Sequence, residues 1–357
     1  MATPSLLRPS TTATTVKELI DTTTLSSIPS DYIFDGFEAD SAVQDQIPTI
    51  DFSLLTSGDP LQRSDAVRDL GRACEDWGFF MVVNHGVPER LCEAMLEACR
   101  DFFDLPEEEK NGYSGKHVLD PIRCGTSFNP AVEKVRSWRD YIKVFVHPHF
   151  HSPEKPPGFR EVSSEYVTRI REVVKELLKG VCESLGLESN YMEKALEMDE
   201  AGLQILIGNL YPPCPQPHLA MGLTPHSDHG LLTVLIQNGI NGLQVRHDDK
   251  WVQVRHLPGS LLVNIGDHLE IISNGKYKSV LHRVVVNETT MRISIAVAHG
   301  PSMDTVVTPA PRLVEGENRR PAYRGMRYGD FLEYQQSNQL NGKSVLDLIR
   351  VQTQRVT

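Results

Sequence analysis

With 357 residues, 36 basic against 47 acidic side chains and a net charge of −11, the chain is unsuited to nucleic acid or an anionic membrane surface, which would repel it at long range. No run approaches ~18 consecutive apolar residues, which excludes a membrane-spanning helix, and the N-terminus lacks the basic-then-apolar pattern of a secretion signal. At 40% hydrophobic residues there is material for a large core, in one large or two closely packed domains.

In chain order, residues 1–15 are rich in Ser, Thr, Pro and Ala, with Arg8 the only charge. This composition suits a disordered tail, with a plastid transit peptide as the alternative. Val16 to Leu25 reads as a short amphipathic helix, and Pro29 with the polar stretch 35–46 as an extended leader. Ile47 to Phe52 alternates like a short strand, and Asp65 to Asp76 carries Val67, Leu70 and Ala73 at helical spacing. Gly78 to Val83 predicts a buried strand, Pro88 to Phe103 a helix, and 112–132 is irregular. Glu165 to Leu185 is a long helix with Ile170, Val173, Val174, Leu177, Leu178 and Val181 on one stripe.

From Leu203 the texture changes. Short apolar runs at 203–207, 231–236, 243–247, 251–254, 260–265, 280–286 and 292–298 each end on Gly, Pro, Asn or Asp, the spacing of a sandwich or jelly roll. Tyr328 to Gln339 predicts a closing helix. The six cysteines, at 74, 92, 99, 124, 182 and 214, form no CxxC pair and read as reduced thiols of a cytoplasmic protein.

Among thirteen histidines one group stands apart: His226-Ser227-Asp228, with His282 fifty-four residues beyond Asp228. In a strand, residues i and i+2 share a face, so His226 and Asp228 can grip one ion. The interval before His282 accommodates roughly five strands, enough for a jelly roll to bring it back. Two imidazoles and a carboxylate leave open positions on a metal, the arrangement of non-haem Fe(II) oxygenases. By itself an HxD pair is more often a surface loop; the strand pattern after it strengthens the metal reading. In RISIAVA, Arg292, Ser294, Ala296 and Ala298 share one face and Ile293, Ile295 and Val297 the other. An arginine among Ser and Ala faces a cavity, where its planar fork suits a carboxylate.

Asn209-Leu210-Tyr211-Pro212-Pro213-Cys214-Pro215, the HSD triplet at 226–228, NGKYKSVLHR at 274–283 and RIS at 292–294 resemble the plant 2-oxoglutarate- and Fe(II)-dependent dioxygenases. WGFFMVVNHG at 77–86 resembles that family's N-terminal signature, and the likeness spans residues 47–340. It implies an α+β fold, a distorted double-stranded β-helix (jelly-roll) core with packed helices, of the isopenicillin N synthase-like kind. It also implies Fe(II) on His226, Asp228 and His282. The distal carboxylate of 2-oxoglutarate would lie on Arg292 and Ser294, with Tyr211 adding a hydroxyl and Asn209 reaching the metal-bound end. Tyr211 and Asn209, two apart, share a strand face.

The expected organisation is a flexible leader (1–46), a helix-rich N-terminal region (47–160), a helical connector (161–200), the jelly-roll core (201–310) and a C-terminal helical segment (311–357). The expected activity is hydroxylation, desaturation or demethylation of a small, largely apolar plant metabolite with O2, releasing succinate and CO2, with ascorbate as reductant and no side-chain base. A monomer in the cytoplasm, without nucleic-acid or membrane partner, is expected. The alternatives are an ascorbate-using oxidase of the same superfamily and a non-catalytic jelly-roll binder.

For the organic substrate, Arg123, Phe128, Ala298 and His299 are the pocket candidates. Flavonoid-modifying relatives carry an aromatic ring and then an acidic residue near Ala298, His299 and Gly300, so a flavonoid of that kind is not expected. His147, His149 and His151 read as a loop, His229 as facing away from the metal, Asp267-His268 as diverging strand neighbours, Glu107 to Glu109 as a solvated helix end, and Cys214 as structural.

Overall fold

Two β-sheets enclose a cavity, and helices cover the outer face of the larger one. The computed structural model describes residues 15–34, 46–115, 117–315, 320–338, 340 and 342–351. The readings for residues 1–14 and 35–45 lie outside that range. In chain order the strands are β1 (Thr49–Asp51), β2 (Phe79–Val83), β3 (Ile122–Thr126), β4 (Asp140–His147), β5 (Gly202–Tyr211) and β6 (Met221–His226). They continue as β7 (Leu232–Gln237), β8 (Leu243–His247), β9 (Lys250–Gln253), β10 (Leu261–Ile265), β11 (His282–Val285) and β12 (Arg292–Ser302). The larger sheet runs β1-β2-β10-β7-β12-β5-β4-β3, the smaller β6-β11-β8-β9. Apart from the parallel pair β1–β2, neighbours in both are antiparallel. This is the expected α+β jelly-roll core.

Alternation along β12 decides what each side of the sheet meets. Ile293, Ile295 and Val297 are fully buried in the main core with the stripe Ile170, Val173, Val174, Leu177 and Val181 of the helix Phe159–Ser184. Arg292, Ser294, Ala296 and Ala298 line the cavity. The helix starts six residues before its apolar stripe predicts, after the left-handed Gly158.

Elsewhere the boundaries shift for local reasons. The helix expected from Asp65 begins at Pro60, where Asp59 and Gln62 form a reciprocal capping box. It continues as a π-type turn, Ala73–Trp77, closed by Gly78 in the left-handed region. A Cβ at Gly78 would collide with the Lys278 carbonyl oxygen, so the turn requires glycine twice over. Within the irregular region the structure has a strand, β3, and beside it β4, which the sequence reading does not contain.

The leader's described part is packed rather than loose. Val16–Thr22 is a helix whose first two backbone N–H groups, Val16 and Lys17, donate to the Asp140 carboxylate at 2.9 and 2.7 Å. Val16, Leu19, Ile28 and Tyr32 are buried in a second apolar cluster with Trp138 and Tyr211. All six cysteines are unpaired, and Cys214 is buried as expected. Among the described residues no helix is long and apolar enough to cross a membrane.

Candidate active site

His226 ends β6 and His282 opens β11, and antiparallel pairing sets them directly opposite each other. Their rings lie 4.1 Å apart between centroids. Asp228 does not reach them by strand alternation, because β6 has already ended. Its loop is held instead by backbone and side-chain bonds: Asp267 N–H donates to the Asp228 carbonyl at 2.8 Å, and Ser227 Oγ to Asp267 Oδ2 at 3.2 Å. Asp228 Oδ1 thereby sits 3.6 Å from His226 Nε2 and 3.5 Å from His282 Nε2. Four strands, not five, intervene between the two histidines, together with the helix Asp267–Ile272.

Each candidate ligand is oriented from behind. His226 Nδ1 lies 2.8 Å from the Thr224 carbonyl and His282 Nδ1 3.3 Å from that of Val280, contacts that place a proton on Nδ1 and leave Nε2 to the centre. Asn264 donates to Asp228 Oδ2 at 2.9 Å. Burial pushes the His226 imidazole down to about 3. Burial also opposes a proton on His282, but the adjacent Asp228 carboxylate raises its affinity above the ordinary value. The Asp228 charge is disfavoured by burial, yet the two imidazoles and Asn264 hold it ionised, well below the carboxylate range. The three ligand atoms lie within 4.8 Å of one another, and the donor set, two imidazoles and a carboxylate, fits one Fe(II) with further positions open.

The opposite wall supplies a buried cation. Arg292 is 1% exposed and bonds only neutral groups: Gln237 Oε1 at 2.8 Å, the Ile240 carbonyl at 3.2 Å and Ser294 Oγ at 3.4 Å. Its guanidinium lies 5.0 Å from the centroid of the Tyr211 ring. The register sets Arg292 opposite Tyr211 and Ser294 opposite Asn209, so these four residues form one patch of the cavity wall. Gly242 leaves the room: a Cβ there would meet Arg292 Cδ at 3.0 Å. The chemistry of this patch, a desolvated guanidinium without a countercharge beside a hydroxyl, fits a carboxylate.

Between the two walls lies an empty volume of about 1080 Å³ that opens to solvent. Arg123 and Phe128 line it, as does Ala298. His299 does not. As Ala298's strand neighbour it turns to the other side of the sheet, where Gln204 Nε2 lies 3.0 Å from its Nε2. His229, read as facing away, lines the cavity with its Nδ1 2.8 Å from Tyr328 Oη, since no strand imposes alternation there. Asp267 and His268 open a helix instead of a strand. His147 ends β4 and bonds the Gly202 carbonyl, while His149 and His151 lie in the following loop, away from the centre. Glu107 is paired with Lys110 and Glu109 with Lys155.

Other lining residues escaped the sequence reading: Asn264, Arg139, Tyr141 and Lys143, and, from the C-terminal segment, Gln335 and Gln336. For β4 a signal existed, since DYIKVFVH places Tyr141, Lys143 and Phe145 on one face and Ile142, Val144 and Val146 on the other.

The 2OG-Fe(II) oxygenase superfamily profile matches residues 202–301, and that of the non-haem dioxygenase in morphine synthesis N-terminal region matches residues 47–166. Rice (Oryza sativa subsp. japonica) 2-oxoglutarate-dependent dioxygenase 19 is 52% identical over 309 residues, 86% of this chain and 91% of the relative. Thebaine 6-O-demethylase of Papaver somniferum is 36% identical, covering 92% and 93%. The crystal structure of JOX2 in complex with 2OG, Fe and JA superposes with a TM-score of 0.85 at 33% identity, covering 95% and 98%. The chain belongs to the 2-oxoglutarate–Fe(II) oxygenase superfamily. It is a 2-oxoglutarate-dependent dioxygenase of the plant kind, an oxidoreductase that uses iron, 2-oxoglutarate and O2.

Proposed function

We propose that this dioxygenase oxidises a C–H bond of a small, largely apolar plant metabolite, by hydroxylation or by the related desaturation or O-demethylation. His226, Asp228 and His282 hold the iron. Arg292 and Ser294 hold the distal carboxylate of 2-oxoglutarate, with Tyr211 beside them and Asn209 towards the metal-bound end. The observation that carries this reading is the convergence of three ligand atoms on one wall of a cavity whose other wall presents a buried, uncompensated arginine. Support for the substrate class comes from apolar lining residues such as Phe79, Phe128, Leu223 and Leu262, and from the relative that demethylates thebaine.

Bound iron supplies the redox chemistry that couples 2-oxoglutarate decarboxylation to substrate oxidation. The chain's own part is positioning. The Thr224 and Val280 carbonyls orient the imidazoles, Asn264 orients the carboxylate, and Gln237 and Ile240 fix the Arg292 fork. Leu340 contributes to the cavity wall from the C-terminal segment. We also propose a cytoplasmic monomer without nucleic-acid or membrane partner, a reading supported by the net charge of −11 and six unpaired thiols, and retain the division at residues 46, 160, 200 and 310. The test is aerobic incubation of the full chain with iron, 2-oxoglutarate and a panel of plant metabolites, read by mass spectrometry. Succinate and an oxidised product in matching amounts support the proposal. A panel compound bound and returned unchanged, with no succinate, contradicts it.

A further inference from the structure

We infer that the cavity has a second anion-binding end, built by Arg123, Arg139 and Lys143, which seats a carboxylate of the organic substrate. This rests on the oxygenase reading of the same cavity and adds a chemical class to it: an apolar body carrying a carboxylate away from the carbon that is oxidised.

The three cations form one patch. Arg123 on β3 stands directly opposite Lys143 on β4, and both line the cavity. Arg139, Tyr141 and Lys143 succeed one another at intervals of two along the same chain segment, and all three line the cavity. The Arg139 guanidinium lies 4.9 Å from the centroid of the Tyr141 ring.

Among the described residues no carboxylate forms an ion pair with them, and the Asp120 charge acts on Lys143 without pairing with it. Among the described residues the single acidic one lining the cavity is Asp228, already committed to the metal centre. Lys143 Nζ donates to two neutral oxygens, the Val118 carbonyl at 2.7 Å and Gln336 Oε1 at 3.2 Å. Arg123 reaches the same carbonyl at 3.4 Å. The Nε atoms of Arg123 and Arg139 are buried without a partner, and Arg139 as a whole is 5% exposed.

Such an arrangement is costly. Like charges directly opposite across a strand pair repel, and an unpaired buried N–H forfeits its hydration. Burial pushes Lys143 down to about 7, with Arg123 and Arg139 adding to the effect and Asp120 opposing it. A carboxylate would relieve all three penalties at once, and two planar guanidinium forks suit its geometry.

This end is distinct from the 2-oxoglutarate end. On the cavity face Lys143 pairs with Ile207, which pairs with Ala296, so an apolar strip separates Lys143 and Arg123 from the Arg292 strand, while Arg139, just before Asp140 opposite Leu210, lies towards Tyr211. At a spacing of about 4.8 Å per strand, β4 lies roughly 10 Å and β3 roughly 14 Å from β12. A five-carbon diacid anchored on Arg292 with its other end at the metal cannot also reach Arg123.

The test is calorimetric titration of the full chain, loaded with iron and 2-oxoglutarate under nitrogen, with cinnamate, phenylbutyrate and decanoate, each beside its methyl ester and primary amide. At least one acid is expected to bind about ten- to hundred-fold more tightly than its neutral counterparts. The double variant Arg123→Gln, Lys143→Met should lose that preference while iron content and 2-oxoglutarate affinity hold. Arg139→Gln alone provides a second variant should the double one not fold, and is expected to reduce the preference. If no acid binds more tightly than its ester and amide, or if the variants keep the preference, the inference is overturned. Failure of the wild type to take up iron or 2-oxoglutarate would overturn the oxygenase reading beneath it instead, and the two failures are separately measured.

Discussion

Asn264 donates its side-chain amide to Asp228 Oδ2 at 2.9 Å, which leaves Oδ1 turned towards the two imidazoles. A carboxylate beyond the end of its strand needs such a tether, because no ladder hydrogen bonds fix it. Replacing Asn264 by Leu should therefore weaken Fe(II) binding by about ten- to hundred-fold without removing a ligand. Competition with a chelator of known affinity measures this, and unchanged affinity would show that the loop alone positions Asp228.

Arg292 sets a second expectation. In the proposed role it would form charge-assisted hydrogen bonds with the 2-oxoglutarate carboxylate, each worth about 1.5–3 kcal/mol. Losing one or two in Arg292→Gln implies roughly ten- to thousand-fold weaker cosubstrate. Arg292→Lys should recover only part of it, since an ammonium lacks the planar fork. The Michaelis constant for 2-oxoglutarate at saturating iron separates the three proteins. Agreement among them within about twofold would remove Arg292 from this role.

A third expectation concerns stability. Glu270 is fully buried and accepts from Tyr323 Oη at 2.6 Å, Ser279 N at 2.8 Å, Lys343 Nζ at 2.8 Å and Arg350 Nη2 at 3.2 Å. It thus ties the C-terminal segment to the core. Burial disfavours its charge, but Lys343 and the hydrogen bonds prevail and hold its pKa below the ordinary 4.5. A depressed folded-state value contributes stability that is present above pH 4.5 and lost as pH falls through the folded value. Glu270→Gln should cost about 2–3 kcal/mol at neutral pH, less than a fully buried pair because Lys343 and Arg350 can turn to water. The difference from wild type should shrink on acidification, as denaturant titrations at neutral and acid pH would show.

The histidines at 147, 149 and 151 supply a control. His147 is engaged with the Gly202 carbonyl and the other two lie in a loop, so changing all three to Gln should leave iron per chain unaltered. A fall in bound iron would reveal a metal site there.

The core strands were legible because alternation is a local signal. RISIAVA assigns Arg292, Ser294, Ala296 and Ala298 to the cavity and the isoleucines to the core, and the structure does the same. His226, Asp228 and His282 also converge, but the strand argument for Asp228 fails because β6 stops at His226 and the approach is made by a tethered loop. The error for His229 has the same origin. His299 was misplaced by ignoring the alternation that placed Ala298. Lys143 and Arg139 were missed because strand β4, whose interior lysine and flanking Asp140 read as polar, was not identified. Its pairing with Arg123 is a long-range register that no local pattern encodes.

The central claim is that His226, Asp228 and His282 hold the iron on which 2-oxoglutarate is consumed. Iron per chain, measured after anaerobic loading and desalting of wild type, His226→Ala and Asp228→Ala, tests it most directly, with circular dichroism confirming that the variants fold. About one Fe(II) per wild-type chain and almost none in either variant, with 2-oxoglutarate-dependent succinate release lost in parallel, is the predicted result. Folded variants that retain wild-type iron and release succinate at the wild-type rate would contradict it.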